Sequence, residues 1–158
     1  MSKLLLSLAI MAIIGLSTDI SRMSKRAKEV DMQIRSAEVD KELVPYLMEF
    51  DRVMQSAGID VQYGSLVVIK FRSLRQGLLG VAWGMNHDVT LIDINPKLWA
   101  TLSHQDKRMV MFHELSHDVF NLRHGSTLLM EPSKPQLLTK EYVDECIRLL
   151  IKLIKDGR

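Results

Sequence analysis

The 158-residue chain has little of what usually places a protein in a class at once. It has one cysteine, Cys146. A single thiol closes no internal disulfide, and it excludes zinc sites built from three or four cysteines. Neither sign of charge dominates: 21 Lys and Arg stand against 19 Asp and Glu, a formal net charge of +2. That balance creates no field to hold a nucleic acid, so none is expected as a partner. No apolar run reaches the roughly 20 residues of a bilayer-spanning helix. Aromatic residues make up 6% of the chain, which leaves the core to aliphatic side chains and to methionine, a flexible gap filler. The length suffices for one domain with a modest core.

What is present falls into three stretches. Residues Leu4 to Leu16 read LLLSLAIMAIIGL, without a charge, and Gly15 and Ser17 are small enough for a cleavage site after Ser17. This pattern reads as a signal peptide or membrane anchor over 1–17. It implies an exported or membrane-associated protein, with residues 4–16 as the point of membrane association. Arg22, Lys25, Arg26 and Lys28 follow the run more densely than cations precede it, and cations resist translocation. The alternative is an intracellular or virion-associated protein with an uncleaved N-terminus. Residues 18–38 are polar and read as a linker or helical arm, and the globular domain is expected over 39–158.

Within that domain, Asp40 to Ala57 carries Leu43, Leu47, Phe50, Val53 and Met54 at helical spacing, and Gly58 ends the helix. Leu66 to Arg72 is rich in β-branched residues and reads as a strand, followed by candidates at Leu78–Trp83 and His87–Ile94. Ser103 is an expected N-cap, with Asp106 in the capping-box position. Thr139 is the expected cap of a last helix striped by Val143, Ile147, Leu150, Ile151 and Ile154. The order helix, strands, helix, helix predicts an α+β fold with a small, mostly antiparallel or mixed sheet.

The chemistry lies in HELSH at 113–117. Residues four apart on a helix differ by about 40° in direction and share a face. His113 and His117 can therefore turn two imidazoles toward one metal ion, with Glu114 beside them as a proton acceptor for an activated water. The bland reading is a helix with two surface histidines. A catalytic zinc takes three protein ligands, so a third is required. His124 lies seven residues beyond His117, about 10.5 Å along a continuous helix. It joins the site only if the helix stops before it, and Asn121 is the natural pivot because Asn tolerates the left-handed conformation. Glu141, Asp144 and Glu145 on the last helix are the rival ligands. His87 and His104 have no ligand spacing and read as surface residues.

HELSHDVFNLRH followed by LLMEP resembles the zinc-binding segment and methionine turn of the metzincin metallopeptidases, the matrixins in particular, in a short bacterial or phage-borne form. HDVTLIDINPKLW and LLTKEYVDECIRLL resemble the strand before the active-site helix and the closing helix of that family. The resemblance covers roughly His87 to Leu150. It implies a zincin-like minimal catalytic domain with an N-terminal helix, an active-site helix and a C-terminal helix. It implies Zn²⁺ held by His113, His117 and His124, Glu114 as catalytic base, and Met130 in a turn beneath the metal. It further implies an extended peptide or protein substrate paired along the strand at Leu79–Trp83. Three departures stand out: Phe120 occupies the position of a family glycine, one extra residue separates His117 from His124, and the stretch from His124 to Met130 is two residues shorter than is usual in matrixins.

The expected function is thus a zinc-dependent endopeptidase with Glu114 as general base. The alternative is a non-catalytic zinc-binding structural domain of a larger assembly. A metal-dependent ribonuclease of the H-x3-H-x5-H type is disfavoured by the six-residue gap, by the Glu after His113 and by the near-neutral charge.

Overall fold

The computed structural model describes residues 38–84, 89–131 and 138–157. Ala37–Arg158 forms one compact unit. The expected signal peptide or anchor and nearly all of the expected arm lie outside the described residues, as does His87. The expectation of membrane association and export is corrected: among the described residues, no helix is long and apolar enough to cross a membrane.

The fold is α+β. A four-stranded mixed sheet runs in the order β1-β2-β4-β3, with β1 at Glu38–Val39, β2 at Leu66–Phe71, β3 at Gly80–Ala82 and β4 at Val89–Ile94. β1, β2 and β4 are parallel neighbours, and β3 pairs antiparallel with β4, Val81 opposite Asp93. Among the described residues four α-helices accompany the sheet: α1 (Val44–Ser56), the short α2 (Pro96–Trp99), α3 (His104–Phe120) and α4 (Lys140–Asp156).

α1 begins later than the apolar spacing predicts. Asp40 is drawn away to the sheet, where its carboxylate accepts the Phe71 N–H at 2.7 Å, and Pro45 falls in the first turn, where a missing N–H costs nothing. α2 follows Asn95, whose side chain accepts from Lys97 and Leu98, with Pro96 as its first residue. α3 starts at a full capping box between Ser103 and Asp106. The other Asp106 oxygen accepts the Leu138 N–H at 3.1 Å, which ties the approach to α4 onto the start of α3.

The core lies where α1, α3, α4 and one sheet face meet. Leu47, Phe50 and Met54 of α1, Met111, Phe112 and Leu115 of α3, and Ile69, Ile92 and Ile94 of the sheet are fully buried. Phe50 and Phe112 pack edge to face with centroids 5.1 Å apart. Arg108, buried within α3, reaches Glu49 of α1 at 2.7 Å and Asp144 of α4 at 3.1 Å. The three long helices are thereby locked together, and α3 is held rigidly across the sheet.

Candidate metal centre

α3 ends at Phe120. Asn121 follows in the left-handed conformation, φ 52° and ψ 35°, the only non-glycine residue with positive φ among the described residues. Both Asn121 and Leu122 give their N–H groups to the Ser116 carbonyl, which satisfies the helix end and turns the chain back. The reversal brings His124 over the face that carries His113 and His117.

The three imidazoles converge. Their Nε2 atoms stand 3.0 Å apart for His113 and His117, 3.1 Å for His117 and His124, and 3.2 Å for His113 and His124. Two of the rings are oriented from behind. His113 Nδ1 donates to the Leu129 carbonyl at 2.7 Å, and His117 Nδ1 donates to the Leu122 carbonyl at 2.6 Å. A carbonyl only accepts, so each Nδ1 carries the proton and each Nε2 presents a lone pair. Lone pairs that face each other at this distance repel, and a cation is what relieves them. Tetrahedral zinc with Zn–N bonds of about 2.0–2.1 Å spaces its nitrogen ligands by about 3.3 Å, close to the observed triangle. Backbone carbonyls on the second nitrogen are also the usual support of a metal-bound imidazole. The residues therefore fit a metal ion, and the three histidines form a cluster able to hold one.

Electrostatics agree. Burial pushes His113 down to about 4, although the Leu129 carbonyl opposes the shift. Burial also lowers His117. Both are neutral at pH 7, the form that binds a metal.

Glu114 is 7% exposed and lies against β3. Burial raises its carboxyl to about 7, opposed by a hydrogen bond from the Ala82 backbone. A cavity of about 470 Å³ opens beside it, lined by Gly80, Val110, His113, Glu114, Leu138 and Tyr142 among others. Its wall is more apolar than polar, and the cavity is open to solvent on one side.

The leucine turn that supports His113 is a 3₁₀ segment, Leu128–Met130. Leu129 and Met130 are fully buried, and Gly125 closes the loop by donating to the Met130 carbonyl at 3.1 Å. The carboxylates considered as rival ligands do other work. Asp144 pairs with Arg108 and Lys140, and Glu145 pairs with Arg148. Glu141 is exposed in the first turn of α4. His104 is exposed, with Tyr46 Oη 3.1 Å from its Nδ1.

Asp118, next to His117, is a structural residue that spacing alone does not flag. Its buried carboxylate accepts the N–H groups of Gly84 and Leu91 at 3.1 and 3.2 Å. That contact fastens the C-terminal half of α3 to the end of β3 and to β4. Its sequence signal is weak: an acidic residue directly after the motif.

No family model matches the chain, and neither curated proteins nor solved structures give a match. The expected membership of a protease family, the metzincins, is corrected accordingly, and so are the signal-peptide and membrane terms. What stands is a small α+β domain with a three-histidine cluster that can hold a metal ion.

Proposed function

We propose that this protein is a zinc-dependent endopeptidase whose catalytic domain spans 39–158, with His113, His117 and His124 as metal ligands and Glu114 as general base. One observation carries the reading: the Nε2 atoms of three histidines converge beside a buried carboxylate at the mouth of a cavity. A purely structural metal site needs neither the carboxylate nor the cavity.

When bound, zinc supplies Lewis acidity, which acidifies water and polarises a peptide carbonyl. The chain's own residues do the rest. Glu114 takes a proton from the attacking water on a carboxylate oxygen and passes it to the departing amine. β3 offers its outer edge to substrate. Because Leu79, Val81 and Trp83 bond toward β4, the alternation of an antiparallel ladder turns the backbone groups of Gly80 and the Ala82 carbonyl outward, while the Ala82 N–H is taken by Glu114. An extended peptide can add to such an edge.

The chain reverses at Asn121, whose left-handed conformation turns His124 back toward the other two histidines; Asn121 does by side-chain tolerance what glycine does by having no side chain.

The test is Glu114→Gln in the zinc-loaded chain, assayed on a mixture of unstructured peptides. Cleavage should fall by at least about 100-fold with zinc content unchanged. Cleavage at the wild-type rate would overturn the mechanism.

A further inference from the structure

We infer that Gly80 is a positioning residue for Glu114, kept without a side chain so that the carboxylate can seat against β3; the inference rests on the reading of Glu114 as general base. Gly80 is the first residue of β3 and is paired with Ile94 in the ladder to β4, where glycine is unfavourable. Its backbone does not explain it, since the positive-φ glycines are Gly58, Gly77 and Gly125. Its surroundings do. A Cβ on Gly80 would stand 2.5 Å from Glu114 Oε1 and 2.8 Å from both Cδ and Cγ. The three nearest atoms all belong to one side chain.

Two residues on, Ala82 lies at the same edge of β3, and its N–H holds the Glu114 carboxylate. Gly80 and Ala82 therefore act together: one leaves the space, the other supplies the donor. β3 cannot retreat, because it is bonded to β4 on its inner side. The end of Glu114 must yield instead. Ordinary contact begins near 3.4 Å, so a methyl at position 80 drives the carboxylate roughly 1 Å from its place, a displacement that costs about 100-fold in rate when the moved group is catalytic. The histidines are not touched, and metal binding is left intact.

The experiment combines Gly80→Ala with Glu114→Ala in the zinc-loaded full chain. In the wild-type background, Gly80→Ala lowers kcat about 100-fold, while KM and zinc affinity stay within twofold. It also lowers the melting temperature in the wild-type background but not in the Glu114→Ala background, because the atoms it meets are then gone. A kcat within threefold of wild type overturns the inference. So does an equal melting shift in both backgrounds. If the wild-type chain cleaves no peptide, the peptidase reading fails separately, and the melting cycle alone decides the seat.

Discussion

Zinc should raise the melting temperature of the metal-free chain by more than ten degrees, and replacing one histidine should abolish most of that rise. A ligand that binds only the folded state at a thousandfold excess over its Kd stabilises by about 4 kcal/mol. Ala37–Arg158 is a unit of about 120 residues. At roughly 2.1 cal/mol/K per residue, its melting entropy is about 0.25 kcal/mol/K. The rise is therefore about 16 °C. His124→Ala is the cleanest perturbation, because His124 is exposed and contributes nothing to the core. Without metal, the variant should melt close to the wild-type temperature, because an exposed side chain is removed. With zinc, it should gain only a few degrees. Scanning calorimetry in zinc and in chelator gives both numbers. A zinc-dependent rise of equal size in wild type and His124→Ala would refute the three-histidine site.

Three further outcomes follow from the same geometry. Asp51 is 4% exposed, accepts from Tyr63 at 2.7 Å on one oxygen and has no partner for the other among the described residues; burial raises its carboxyl from 3.8 to about 6. The folded state thus binds the extra proton, so this contribution is full below about pH 4 and is lost as pH rises through 6, about 3 kcal/mol in all. Asp51→Asn keeps the acceptor and removes the charge, so its urea midpoint should gain on wild type between pH 4 and 7, and a constant difference would contradict this. Arg108→Ala unlinks α1 from α4 at a buried guanidinium whose partners are part-exposed, and should cost about 2 kcal/mol in urea unfolding; a loss under about 0.5 kcal/mol would show the network to be idle. Trp83 is 58% exposed at the end of β3 and Trp99 is 1% exposed, so peptide added to zinc-loaded Glu114→Gln should change tryptophan emission through Trp83 alone. An unchanged spectrum at calorimetric saturation would remove β3 as the substrate edge.

Much of this was legible in the sequence because it is local. The capping box at Ser103 and the cap at Thr139 are short-range hydrogen bonds, and residue type announces them. Asn121 as the pivot follows from helix rise and from the few residues that accept positive φ. The strand cores follow from β-branched runs. What escaped is mostly non-local. The parallel pairing of β2 with β4 depends on chain segments brought together from a distance, and β1 is two residues with no pattern of their own. The carbonyls of Leu122 and Leu129 that orient the histidines come from backbone geometry, to which side-chain identity is blind. Asp144 looks like a ligand candidate until α1 and α3 bring Glu49 and Arg108 beside it. Gly80 falls inside the strand candidate Leu78–Trp83 in the sequence and acquires its meaning only when Glu114 is packed against it. α2 is the exception. Asn95 before Pro96 is a local N-cap signal, and it was available.

The central claim is that three histidines hold the metal. It is tested most directly by anomalous diffraction at the zinc edge from crystals grown with stoichiometric zinc. A single peak about 2.0–2.1 Å from Nε2 of His113, His117 and His124 is the predicted result. A peak held by carboxylates of α4, or no peak at the three histidines, would contradict it.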